Sequence, residues 1–139
     1  MFIRGEIYRR RDLHTLYGGQ QQGGISTPSN HPVIFLFTSP RGKEYGYSDG
    51  WQADGTFLYT GEGQKGDMTF TRGNLAIRDH MRNGRTIHLF EKAHMGHVRY
   101  VCELMYVSHA IQTGQDIENK QRQIIVFTLR MISGKSGST

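Results

Sequence analysis

The run Val33-Ile34-Phe35-Leu36-Phe37, set between Pro32 and Thr38-Ser39-Pro40, constrains this chain more than any other stretch. It is continuously apolar and rich in β-branched and aromatic residues. It is also too short for a buried helix, so it reads as a strand covered on both faces. Such a strand requires sheet neighbours on its edges and packed elements above and below it.

The rest of the chain offers both. TIHLFEKA (86–93) and HVRYVCELMYVSHA (97–110) read as a hairpin around Gly96. TFLYTGEG (56–63) and QIIVFTLRMI (123–132) read as further strands. GEIYRRRDLHTLYGG (5–19) begins as a short strand and becomes a short helix, with Leu13, Leu16 and Tyr17 on one face and Gly18 as its stop. TRGNLAIRDHMRNGR (71–85) reads as a helix of about three turns, starting near Thr71 or Asn74 and ending at Gly84. Leu75, Ile77 and Met81 would form its apolar side, and Arg72, Arg78, Arg82 and Arg85 its basic one. GGQQQGGIS (18–26) and IQTGQDIENKQR (111–122) read as polar loops. About six or seven strands with two short helices make an α+β domain on a curved, barrel-like sheet. The expected domain is 1–132, followed by 133–139 (SGKSGST) as a flexible tail or truncated linker.

The charge of +5 and pI near 9.6 favour a polyanionic partner. A single cysteine, Cys102, excludes an internal disulfide and reads as a buried structural thiol in a strand. No apolar run is long enough for a membrane span, and MFIRGEIYRRR lacks the apolar core of a signal peptide, so a soluble cytoplasmic protein is expected. Catalytic motifs are missing: there is no His-Glu-x-x-His, no phosphate-cradling Gly-x-x-x-x-Gly-Lys-Ser/Thr and no Gly-x-Ser-x-Gly. His94 and His97 have a His-x-x-His spacing without a second ligand pair, which leaves a small metal-dependent nuclease as an alternative rather than the leading reading.

Binding chemistry concentrates in GYSDGWQADGTFLYTGEGQKGD (46–67), where Tyr47, Trp51 and Tyr59 stand among aspartates and glycines. In a hairpin, Tyr47 and Tyr59 can form opposite walls around a flat base, a stacking worth roughly 1–3 kcal/mol. Asp49, an acceptor, suits the amino edge of cytosine, and the backbone around Thr60 and Gly61 can complete that edge. A tyrosine-rich hairpin with an ordinary core pair explains the same residues. On residues alone both readings stay open, with the packing reading slightly ahead.

The order GEIYRRRDLHTLYGGQQQGGIS, GYSDGW, FLYTGEG, RGNLAIRDH, VRYVCELMYV resembles the SRA (SET- and RING-associated) domains, over roughly residues 5 to 130. These are PUA-like readers of modified cytosine, and the chain is most similar to the bacterial branch in which such a domain precedes an HNH nuclease domain. The resemblance implies a duplex-DNA partner carrying 5-methylcytosine or a related 5-modified cytosine, flipped into an aromatic pocket. It implies a non-catalytic recognition module of a modification-dependent restriction system in bacteria, nucleoid-associated, with cleavage in a nuclease domain or subunit. It implies no cofactor, no metal and no membrane. Tyr47 and Tyr59 match the stacking aromatics, Asp49 the base-reading aspartate and Thr60 the threonine whose backbone meets the base. Trp51, Gly61 and Glu62 complete the expected pocket. Gly19, Gln20, Gln21 and Gln22 occupy the place of the loop that enters the minor groove. Arg10, Arg11, Lys65, Arg72 and Asn74 are the candidate phosphate contacts. There are departures. The finger after Tyr59-Thr60-Gly61 is short (GQKGDMTF), which removes the basis for a hemimethylated preference. The signature Tyr-Asp-Gly appears only as Tyr100-Val101-Cys102. Glu62 follows Gly61 where relatives often place a small residue near the methyl group; a carboxylate there either accepts from a hydroxymethyl group or points to solvent, which leaves the modification open. The alternative from a different class is a PUA-like RNA-binding module that reads structured RNA without flipping.

Overall fold

A computed structural model describes residues 2–39 and 49–132. Along the chain run β1 (Ile7–Arg9), α1 (Arg10–Tyr17), β2 (Ile25–Ser26), β3 (Val33–Thr38), β4 (Gly50–Trp51), β5 (Thr56–Thr60), α2 (Arg72–Arg78), β6 (Thr86–His94), β7 (His97–Gln115) and β8 (Gln121–Met131). The eight strands form one sheet in the order β2-β3-β6-β7-β8-β5-β4, with β1 added alongside β7. All the pairings are antiparallel except β3 with β6. The tail 133–139 and Tyr47 lie outside the described residues.

Strand β3 is buried on both faces, as its composition requires. Ile34 and Leu36 join a largely aliphatic cluster with Ile87, Leu89, Phe127, Leu129 and Ile77 of α2. Val33 and Phe35 join a largely aromatic cluster with Phe90, Tyr100 and Leu13 of α1. The two helices therefore cover opposite faces of the sheet. In the second cluster Phe2 meets Tyr8, Phe35 and Phe90 edge-on, with centroids 5.2–5.8 Å apart, the arrangement favoured by ring quadrupoles.

The even-numbered run Val98, Tyr100, Cys102, Leu104 looks like one buried face, but it serves two. Leu89 pairs with Cys102 and Phe90 with Tyr100, so Val101 is an extra residue on β7. The bulge reverses the alternation. Val98 and Tyr100 enter the aromatic cluster, and Cys102 and Leu104 the aliphatic one. Burial pushes the Cys102 thiol up to about 11, so it stays a protonated core group.

Two expected elements change. The polar segment 111–122 is mostly strand: β7 pairs with β8 out to Gln115↔Gln121, leaving a tip of residues 116–120. Its pattern lacks apolar alternation because this arm stands beyond the core, and the cross-strand ladder carries it. The second helix is shorter than expected, at 7 residues. It buries Gly73, Asn74 and Ile77, while Met81 and Leu75 face outward. After Asp79 the chain turns: Asn83 N–H donates to Asp79 O at 3.0 Å and Arg85 N–H to His80 O at 2.8 Å, with Gly84 at φ 70°. His80 fastens this turn to the sheet, its Nε2 accepting from Tyr106 N–H at 3.0 Å.

Candidate nucleic-acid interface

A cavity of about 380 Å³ opens where β5 ends, between the residue 23–25 segment, the end of β3 and the residue 61–64 segment. Its lining brings together Asp49, Tyr59, Thr60, Gly61 and Glu62, residues that the sequence reading grouped. Thr60 N–H donates to Asp49 Oδ1 at 2.8 Å, which aims the carboxylate. Burial raises the Asp49 pKa above its usual 3.8, and the Thr60 hydrogen bonds oppose that shift.

Tyr59 is only 4% exposed and belongs to the aliphatic cluster as well as the cavity wall. Its hydroxyl donates to Gly24 O at 2.9 Å, with Phe37 O at 3.1 Å. Position 24 must be glycine, because a Cβ there would strike the Tyr59 hydroxyl. Tyr59 thus ties the 18–24 loop to the sheet. Arg10 does the same from the other side. Its guanidinium lies 3.7 Å over the Phe37 ring and donates to Gln20 O at 3.4 Å and Gly23 O at 3.1 Å. Arg10 Nε also donates to His14 Nε2 at 3.0 Å, so His14 Nδ1–H is left to donate to Gly18 O at 3.0 Å. Burial, together with the Arg10 charge, holds His14 below its usual pKa.

Glu62 lines the cavity and also caps α2, with Oε2 accepting from Gly73 N–H at 2.9 Å. A Cβ at Gly73 would lie 2.6 Å from that oxygen and 2.7 Å from Ile25 Cγ2, so only glycine admits the contact. Asn74 completes the joint. Its Oδ1 accepts from Glu62 N–H at 2.9 Å, and its Nδ2 donates to Glu62 O and Thr69 O, each at 3.0 Å.

Several expected site residues sit elsewhere. Trp51 is 46% exposed and packs edge-on against Phe57 at 4.9 Å; it does not line the cavity. Asn74, expected at a phosphate, is 1% exposed with its amide engaged internally. Arg10 is a strap for the loop. Lys65 is exposed and ion-paired with Glu118 at 3.2 Å. Arg11 and Arg72 are exposed. Gln20 is held by Thr27, whose N–H donates to Gln20 Oε1 at 2.8 Å, whereas Gln21 and Gln22 are exposed at the tip with Gly19 at the loop's start. Tyr47 falls within 40–48, outside the described residues.

Sequence reasoning missed the residues that set the 61–68 segment. Asp116 accepts from Gly66 N–H at 3.3 Å, and Arg122 Nη1 donates to Gly63 O at 2.7 Å and Gly66 O at 3.2 Å. Met68 N–H donates to Gln123 O at 2.9 Å. No local pattern marks these partners, which lie 50 to 59 residues apart in the chain. His94 and His97 stack on each other at 4.3 Å. Among the described residues no three His, Cys, Asp or Glu are grouped to hold a metal, and no helix is long and apolar enough to cross a membrane.

The described residues thus form one open sheet with a helix on each face and a cavity at the end of β5. Residues 4–139 match the ScoMcrA-like SRA domain family, and the chain belongs to it. No curated protein sequence matches it. Among solved structures, the sulfur-binding and SRA domains of ScoMcrA complexed with phosphorothioated DNA align with a TM-score of 0.74 and 25% identity over 94% of this chain. The type IV phosphorothioation-dependent restriction endonuclease ScoMcrA aligns with a TM-score of 0.74 at 24% identity, also over 94% of this chain. This chain spans 40% and 28% of those two chains. The SUVH5 SRA domain in complex with hemimethylated CG DNA shares the fold, with a TM-score of 0.67 and 21% identity over 95% of this chain and 89% of that one.

Proposed function

We propose that this chain binds duplex DNA containing 5-methylcytosine or a related 5-modified cytosine, holding the base flipped in the cavity at the end of β5. It does so as the recognition module of a modification-dependent restriction system, with cleavage in a separate nuclease domain or subunit. The observation that carries this is the Asp49 carboxylate, aimed by Thr60 N–H into an open cavity walled by Tyr59 and glycines. Membership of the SRA family and the modified DNA bound by ScoMcrA and SUVH5 support the same reading. A carboxylate has about four acceptor sites, so Asp49 can keep Thr60 and still take a cytosine amino group. Tyr59 is one wall of the base site, and Tyr47 is assigned the other. Gln21 and Gln22, at the tip of a loop tethered at both ends, fill the gap left in the helix. Arg11, Arg72 and Lys65 meet phosphates, while Arg10 acts through the loop. Flipping costs a few kcal/mol, offset by stacking and phosphate contacts. Affinity therefore falls steeply with salt, and selectivity does not.

The test is a binding panel over duplexes carrying plain, methyl, hydroxymethyl and glucosylated cytosine at moderate salt. At least one modified duplex should bind more tightly than plain DNA, and Tyr47→Ala or Asp49→Ala should remove that preference more than it weakens bulk affinity. Equal binding of all four duplexes by the wild type would sink the proposal. The isolated chain should also leave DNA uncut in the presence of divalent metals.

A further inference from the structure

We propose that His14 is a positioning residue for DNA binding: its neutral ring holds Arg10 on the 18–24 loop, and protonation of that ring releases the loop and weakens binding. The loop's part in binding rests on the reading above, whereas the release itself is a property of the free chain.

The bonds assign the state of the ring. His14 stands on α1 between Arg10 and Gly18, four residues from each, and is 5% exposed. Gly18 O can only accept, so Nδ1 carries a proton. Arg10 Nε–H can only donate, so Nε2 carries none. A neutral imidazole in this one tautomer satisfies both partners. A second proton would sit on Nε2 and face Arg10 Nε–H across 3.0 Å, setting two donors and two cations against each other.

The surroundings do not offset that clash. Arg10 is met by neutral groups: His14 Nε2, the carbonyls of Gln20 and Gly23, and the face of the Phe37 ring. Among the described residues no carboxylate pairs with it. From β3 the His14 ring meets only the uncharged Phe37, at 6.0 Å between centroids. From β5 the Tyr59 hydroxyl is neutral and turned to Gly24 O. From β6 and β7, Lys92 and His97 line the cavity that Arg10 also lines, which adds positive charge. Arg10 N–H is fixed to Gly96 O at 2.9 Å, so the guanidinium rather than the helix swings away.

His14 holds Gly18 directly and, through Arg10, holds Gln20 and Gly23. With the strap gone, the loop keeps Tyr59 at Gly24 and Thr27 at the Gln20 side chain. Gln21 and Gln22 must then be ordered by the DNA itself, which costs affinity. The sign follows from burial, which holds the His14 pKa below 6.5. The fold favours the neutral ring, so the strap is complete above pH 6.5 and is lost as pH falls through the lowered value. Asp49 titrates separately and acts on the cytosine acceptor, not on the loop.

The experiment follows hydrogen exchange of the free chain from about pH 7.5 to about pH 5, corrected for intrinsic rates, with the 61–68 segment as internal reference. Kd for a modified-cytosine duplex is measured across the same range. Wild type should lose protection in 18–24 alone on acidification, and its affinity should fall about fivefold. His14→Phe keeps a buried ring without the acceptor, and should open the loop and weaken binding about fivefold at every pH. His14→Gln supplies an acceptor that does not titrate, so it should restore the protection that His14→Phe loses and remove the acid step. The wild-type titration needs no variant, so it stands even if a variant fails to fold. Loop protection in wild type that ignores pH, or an acid step that His14→Gln retains, would overturn the role of His14. Equal binding of modified and plain duplexes at about pH 7.5, with the loop still released by acid, would overturn the flipped-base reading and leave the release in place.

Discussion

Two glycine-rich loops border the base cavity, and they are built in opposite ways. The 18–24 loop is tethered near its ends. Arg10 and Tyr59 donate to the carbonyls of Gln20, Gly23 and Gly24, and Gln21 and Gln22 stand in solvent between them. The 61–68 segment is bonded along its length, through Gly61, Glu62, Gly63, Gln64, Gly66, Asp67 and Met68, to α2 and to the β7–β8 arm. Similar composition therefore yields a tip that can enter DNA on one side and a fixed platform on the other. What separates them is where the hydrogen bonds attach.

The largest effects should come from breaking those attachments. Tyr59→Ala removes a core ring and the Gly24 tether together and should cost about 3–5 kcal/mol in urea unfolding. Tyr59→Phe keeps the ring, should cost about 1 kcal/mol, and should expose the 18–24 loop to proteolysis while the 61–68 segment stays protected. If both segments loosen together, the contrast is lost. On the platform side, Asn74→Ala strands backbone groups of Glu62 and Thr69 and should cost about 2–3 kcal/mol.

Asp49→Asn lies between the loops and should act on binding, with roughly a tenfold loss of affinity for the modified duplex by titration. Its pH dependence has a defined sign. Burial raises the folded-state pKa of Asp49 above its unfolded value, so the ionised group opposes folding at neutral pH. That penalty is relieved as pH falls through the raised pKa, while the acceptor needed for cytosine is lost. Acidification should therefore weaken binding starting above pH 3.8, and Asp49→Asn should abolish that step. Binding that is flat across this range would remove Asp49 from the site. The smallest effect on stability should come from Gln21→Ala with Gln22→Ala, within about 0.5 kcal/mol in the same unfolding assay. Specific binding by this variant should still fall several-fold.

The strands were legible because burial on two faces demands continuous apolar runs, as in Val33–Phe37, and because hairpins carry their own turn residues. The grouping of Asp49, Tyr59, Thr60, Gly61 and Glu62 was legible because β4 and β5 are near neighbours in the chain. Trp51 misled because an aromatic in a binding-rich stretch also serves as an edge packer against Phe57. Arg10 and Asn74 misled because a polar side chain near a site reads the same whether it faces a phosphate or a carbonyl.

What the amino-acid order determined by itself is part of the local structure: which apolar runs become strands, where α1 stops, and which glycines allow a close approach. What only the tertiary structure decided is long-range. The extra residue at Val101 sends Tyr100 and Cys102 to opposite faces. Glu62 is turned toward the start of α2, and the 61–68 segment is seated on Asp116 and Arg122. The reason is physical. Periodicity reports which side chains avoid water, whereas a backbone donor is satisfied by whichever acceptor the fold brings within about 3 Å, however distant in the chain.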